Sequence, residues 1–143
     1  MTTLDDAAMR GLLERVRTIA VVGIKAGEAD DAFRVPRYLQ QQGYRILPVS
    51  PRLDAVLGEP VARSLGELTE QPDLVNLFRA PAHVPGHVDE ILALPAPPLG
   101  VWMQLGIEHA NSRERLEGAG IPAVEDRCLM VEHARLFGRS PNH

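Results

Sequence analysis

The sequence is poor in several residue types: one cysteine, one tryptophan, a single lysine, and only 4% aromatic residues over 143 positions. A lone Cys128 forbids an internal disulfide, and a zinc site would have to draw mostly on His and Asp. No apolar run approaches the roughly 18 residues that a membrane span requires. Positions 1–17 carry Asp5, Asp6 and Glu14 among their apolar residues and lack the unbroken apolar stretch of a secretory signal. A cytoplasmic address and no membrane partner are the expectation. Fifteen basic against nineteen acidic residues leave a net charge of −4, which argues against nucleic acid as a partner. Lys25 is the only lysine among those basic residues, the rest being arginine. High-GC codon usage would give the same ratio, so the imbalance marks Lys25 without assigning it a role.

What is present is ordinary globular material. At 45% hydrophobic and 24% charged, the composition fits one domain of roughly 100–200 residues. No repeat, low-complexity tract or second domain is visible, so residues 1–143 read as a single domain. Short apolar, β-branched runs at 19–23, 44–49, 73–78, 100–105 and 122–126 read as strands. Pro48 cannot donate to a ladder, which puts that end of the second strand at the sheet's rim. Helical spacing fills the intervals at 4–16, 33–42, 84–94, 108–119 and 129–137. The first of these places Leu4, Ala8, Leu12 and Val16 on one stripe, with Thr3 as its cap. Pro36 is tolerable only in or just after the first turn of the second. Residues 52–72 carry turn residues and a short helical hint at 65–68. Strands alternating with helices predict a three-layer α/β/α domain with five parallel strands ordered 3-2-1-4-5.

Such sheets bind ligands beyond the carboxyl ends of their strands, where the strand order reverses. The first loop there is Gly23-Ile24-Lys25-Ala26-Gly27, a glycine-rich turn opening onto a helix, which offers backbone N–H groups to a phosphate. It is neither the Gly-x-Gly-x-x-Gly of dinucleotide folds nor a P-loop. At the end of the second strand, Ser50-Pro51-Arg52 stands where an NAD-binding domain carries an acidic residue. A cation there suits an extra ribose phosphate, as in NADP and coenzyme A. The third loop brings Phe78, Arg79 and Pro81, and the fourth brings Gln104 and Gly106. Neither carries a nucleophile with a base in register.

Together these segments resemble the small stand-alone CoA-binding proteins. The resemblance rests on Val21-Val22-Gly23, on Phe33-Arg34-Val35 with Tyr38-Leu39, and on Gly43-Tyr44-Arg45-Ile46 with Pro48-Val49-Ser50-Pro51. It continues through Asp73-Leu74-Val75 with Phe78-Arg79, then Trp102-Met103-Gln104-Leu105-Gly106-Ile107. It ends on Asp126-Arg127-Cys128-Leu129-Met130-Val131-Glu132-His133. That family is similar in fold to the N-terminal CoA-binding domain of the succinyl-CoA synthetase α subunit and of ADP-forming acyl-CoA synthetases. The resemblance implies a Rossmann-like sheet holding CoA across the first three loops; Lys25, Arg34 and Arg52 are the candidate cations for its phosphates there. With the adenosine-phosphate end between the first and second loops, the pantetheine arm is expected to run past Phe78 towards Gln104. The chain departs from the family at Lys25, often serine, and at Ala32, often a small hydroxyl residue; the lysine would replace hydroxyl contacts with a charge. In the synthetases a second domain bears a phosphorylated histidine. These 143 residues show no counterpart, so ligase chemistry is not implied.

The remaining candidates weigh towards structure. His83, His87, His109 and His143 fall on helix surfaces or the tail and read as solvated. Glu132 and His133 are adjacent on a helix and diverge, so packing with buried polar bonds to Glu132 or Arg127 is expected of that block. Cys128 lies at a helix N-terminus on the ligand side, where the dipole favours a thiolate. A buried, inert thiol is the plainer reading. Three functions compete. One is a CoA or acyl-CoA binding module acting through a protein partner or as a homo-oligomer. The others are an NADP-dependent oxidoreductase-like protein and a small acyl-CoA enzyme using Cys128.

Overall fold

The computed structural model describes residues 4–138. Helix α1 (Asp6–Arg15) precedes strand β1 (Thr18–Val22), helix α2 (Asp31–Gln41) and strand β2 (Arg45–Val49). A small antiparallel hairpin follows, β3 (Ala55–Val56) with β4 (Glu59–Pro60), and then a single 3-10 turn at Leu65–Glu67. The chain continues through β5 (Leu74–Leu77), α3 (Val84–Leu92), β6 (Gly100–Met103), α4 (Ala110–Gly118), β7 (Ala123–Val124) and α5 (Leu129–Phe137). The five main strands are all parallel, as the alternation of strands and helices predicts.

Strand alternation sorts the core into two layers. Ile19, Val21, Leu74, Trp102 and Val124 face α1, α2 and α5, while Ala20, Val22, Val75, Leu77, Val101 and Met103 face α3 and α4. Every residue of β1 from Ile19 onward is buried, the pattern of a central strand covered on both faces. Trp102 is fully buried yet satisfied, because its indole Nε1 donates to the Arg127 carbonyl at 2.8 Å. Burial of one large aliphatic or aromatic side chain contributes roughly 1.5–3 kcal/mol, so the two layers carry the stability.

The strand order differs from the expected 3-2-1-4-5. It is β2-β1-β5-β6-β7, so β1 lies between β2 and the third main strand. The slot outside β2 is already filled. Ala62 donates to the Pro48 carbonyl at 3.0 Å and accepts from the Ser50 N–H at 2.9 Å, bridging in parallel with Val49. Pro48 therefore sits in an edge strand, and its missing donor points away from β1. On the other flank a clamp starts β5 beside β1. The Asp73 carboxylate accepts from the N–H groups of Arg17 and Thr18 at 2.8 and 3.2 Å, while the Asp73 N–H donates to the Thr18 hydroxyl at 2.8 Å.

Two helices differ in detail from expectation. Asp5 caps α1, accepting from the Ala8 N–H at 2.8 Å; Thr3 lies outside the described residues. The buried stripe of α1 is Met9, Leu12, Leu13 and Val16, and Ala8 is exposed. A strict spacing of four drifts about 40° per step from the 3.6-residue turn, so a 4-8-12-16 stripe cannot stay on one face. Helix α2 begins at Asp31, which places Pro36 in the second turn rather than in or just after the first. The block at 127–133 packs as expected. His133 is buried with Nδ1 2.9 Å from the Tyr38 hydroxyl, and Glu132 bonds Arg127 and Arg135.

Removing the clamp leaves the N–H groups of Arg17 and Thr18 without their carboxylate acceptor. Asp73→Ala is expected to lower unfolding stability by about 1–3 kcal/mol, measured by urea denaturation. An unchanged midpoint and slope would show that the clamp contributes nothing.

Candidate functional site

With β1 flanked by β2 and β5, the reversal of strand order lies at the carboxyl end of β1, and the loops after these three strands meet there. The Gly23 N–H donates to the Val49 carbonyl at 3.0 Å and the Phe78 N–H to the Val22 carbonyl at 2.9 Å, so the three loops leave the sheet at one level. Gly23 has φ +87°, and a Cβ at this position would lie 2.5 Å from the Phe78 carbonyl oxygen and 3.1 Å from Arg79 Cδ. Only glycine allows the first and third loops to approach so closely.

These loops enclose a cavity of about 420 Å³ lined by Gly23, Ile24, Lys25, Ala26, Ser50, Pro51, Arg52, Leu53, Phe78, Arg79, Ala80 and His83. Its volume lies in the usual range of small-molecule sites, about 300–1,000 Å³. Ser50 is buried, and its hydroxyl accepts from the Arg52 N–H at 3.1 Å, shaping the turn that carries Arg52 over the cavity. Ile24 and Phe78 pack into the core beneath and supply apolar wall.

Charge distinguishes this cavity from the others. Most arginines among the described residues already hold a carboxylate, for example Arg45 with Glu70 at 2.7 Å, Arg113 with Glu125 at 2.6 Å and Arg135 with Asp6 at 2.7 Å. Among the described residues no carboxylate ion-pairs with Lys25, Arg52 or Arg79, and all three line the cavity. A larger cavity of about 560 Å³ at 64–72 and 90–95 presents Glu70 and Glu90 and no basic side chain. Another under the hairpin contains Arg45, which its glutamate partners neutralise. A further cavity of about 260 Å³ carries one such unpaired cation, Arg17, beside Glu14, whereas the cavity at β1 gathers three.

The other sequence-derived candidates lie elsewhere. Arg34 is tied to the first loop itself, donating to the Ala29 carbonyl at 2.7 Å and pairing with Asp31. Pro81 opens a 3-10 turn at Pro81–His83, between the lining residues Ala80 and His83. Gln104 is buried, its Oε1 accepting from the Leu129 N–H at 3.3 Å and Asn76 Nδ2 at 3.4 Å, which pins the start of α5 to the sheet. Gly106 donates its N–H to Asp126 Oδ1 at 2.7 Å. Cys128 is the half-buried N-cap of α5, packed against the core and outside the cavity lining. The lining residues missed by the sequence are Ala26, Leu53, Ala80 and His83. His83 reads as a solvated helix residue because nothing in the local sequence shows that the 3-10 turn after the third loop puts it in the cavity lining.

The expected nest of backbone donors is also only partly open. The Lys25 N–H is taken by the Ala32 carbonyl at 3.2 Å. The start of α2 carries its own anions, Glu28, Asp30 and Asp31. Side-chain cations, more than the helix N-terminus, supply the positive field. Across the rim beyond β6 and β7 the sign inverts. Glu108 and Asp126 lie together there, Glu125 beside them being paired with Arg113, and a hydrogen bond to Asp126 together with its charge holds the Glu108 carboxyl above its ordinary pKa. The carboxyl end of the sheet thus runs from a cationic cleft at β1 to an acidic rim at β7.

The contact between Gly23 and Phe78 yields a comparison. Gly106 has φ +84° with nothing within 4 Å of where a Cβ would stand, so Gly106→Ala costs only its backbone angle. Gly23→Ala adds a backbone clash and is expected to cost more, about 1–3 kcal/mol in urea denaturation. Equal losses for the two variants would mean that the loops are not in contact.

Comparison with known proteins places this geometry. A family model described as a CoA binding domain matches residues 17–134. The uncharacterized protein YneT of Bacillus subtilis is 34% identical over 134 residues, covering 94% of this chain and 98% of its own. A Thermus thermophilus protein of known structure is 46% identical with a TM-score of 0.88, covering 94% of this chain and 100% of its own. An acetyl-coenzyme A synthetase of Korarchaeum cryptofilum is 18% identical with a TM-score of 0.62, over 80% of this chain and 27% of that one, and shares the fold. The chain, a five-stranded parallel α/β domain with its cationic cleft at the strand-order reversal, belongs to the CoA-binding domain family.

Proposed function

We propose that the cavity at β1 binds coenzyme A or an acyl-CoA, with Lys25, Arg52 and Arg79 meeting its phosphates, and that the protein is a binding module without turnover of its own. The observation that carries this reading is the convergence on one cavity of three cations that no carboxylate among the described residues pairs, while most described arginines are neutralised elsewhere. Desolvating a phosphate is costly unless charged donors replace its water, and each such hydrogen bond contributes about 1.5–3 kcal/mol. Membership of the CoA-binding domain family supports the same ligand.

The charge gradient gives the ligand a direction. An anionic adenosine-phosphate end fits the cleft between the first and second loops. The uncharged pantetheine arm then runs past Phe78 towards Gln104 and the exposed Leu105, where the acidic rim would repel a phosphate. Ser50, the hydroxyl in the lining, is already engaged in its own turn, and Cys128 lies outside the lining. This supports a module whose ligand state is read by a protein partner or a second copy of the chain.

Calorimetric titration with CoA, dephospho-CoA and NADP in parallel tests the reading. CoA is expected to bind most tightly, and Lys25→Ala, Arg52→Ala and Arg79→Ala should each weaken it about tenfold or more. Dephospho-CoA should bind more weakly than CoA and lose little more on Arg52→Ala. Tighter binding of NADP would replace this reading with the oxidoreductase-like one. Wild-type affinity in all three variants would place the phosphates elsewhere.

A further inference from the structure

Lys25 is held by a carbonyl that would ordinarily be occupied. In α2 the carbonyl of Ala32 should accept the N–H of the residue four positions on, but that residue is Pro36, which has none. The pyrrolidine ring also crowds the i−4 carbonyl and tilts it off the helix axis. The freed Ala32 oxygen instead accepts the backbone N–H of Lys25 at 3.2 Å. Pro36 is itself buried, as is Ala32, so water is a poor substitute donor for that oxygen.

We propose that Pro36 is a positioning residue for the ligand-binding loop. By withdrawing the helical donor it reserves the Ala32 carbonyl for Lys25, and so holds residues 23–26 as one wall of the cavity. The proposal rests on the CoA reading for its ligand, but the tie between loop and helix stands independently of it. Alanine is the better helix former and restores the missing helical hydrogen bond, while truncating the buried ring costs packing. In the positioning role, the new N–H of Pro36→Ala competes for the Ala32 oxygen, draws it back towards the axis and loosens the loop. The loop and its ligand respond whatever the net change in stability.

The sequence makes the test simple, because Lys25 is its only lysine. Labelling with 15N-lysine marks a single backbone amide, whose exchange with D2O is read by NMR in the ligand-free wild type and in Pro36→Ala. The Lys25 amide is expected to exchange at least tenfold faster in the variant, with about tenfold weaker CoA binding. Equal exchange rates in the two proteins would overturn the proposal, as would wild-type CoA affinity in the variant. Were the wild type to bind no CoA at all, the CoA reading would fall, and the exchange comparison would still decide whether Pro36 fixes the loop.

Discussion

The approach of Gly23 to the Phe78 carbonyl is the constraint on which the carboxyl end of the sheet depends. A Cβ there would lie 2.5 Å from that oxygen, so the first loop can pass beside the third only without a side chain. The contact exists because β5 pairs with β1, and that pairing follows from Ala62 filling the edge outside β2 and from Asp73 clamping the start of β1. The strand order thus decides which loops converge at the carboxyl end of the sheet. The cavity is a product of topology before it is a product of its lining.

What the lining adds is charge left over. The protein has more acidic than basic residues, and on its surface the basic ones are mostly consumed by ion pairs. Exposed pairs of this kind are worth little to stability individually. Their effect on function is by exclusion. They leave few places where an anion meets an uncommitted cation, and Lys25, Arg52 and Arg79 gather at one of these. The carboxylates at the start of α2 and along the rim by β7 bound that place on two sides. A ligand with a polyanionic head and a neutral arm matches such a field; a uniformly charged one does not.

Much of this is legible in the sequence, and the exceptions have physical causes. Hydrophobic runs mark the five strands to within a few residues, since a parallel sheet buried on both faces leaves near-continuous apolar segments. The strand order is not legible. It depends on Ala62 bridging Val49 and on the carboxylate of Asp73, single contacts from segments that carry no periodic signal. Gly23, Lys25, Ser50, Arg52 and Arg79 can be placed near a ligand because each follows a strand, and βα loops of a parallel sheet share one end. Arg34 shows the limit of that reasoning: a cation in the same neighbourhood is turned onto the loop backbone by three local acceptors. Pro36 reads as a helix-start residue, and only the partner of Ala32 reveals what its missing donor releases.

The central claim is that unpaired cations at the reversal of strand order receive the phosphates of coenzyme A. A crystal structure of the protein with CoA tests it most directly. The account predicts phosphate oxygens within hydrogen-bond distance of the Lys25, Arg52 and Arg79 side chains, with the pantetheine arm leaving past Phe78. Phosphates bound in the cavity at 64–72 and 90–95, or CoA density absent from the β1 cleft at saturating ligand, would contradict it.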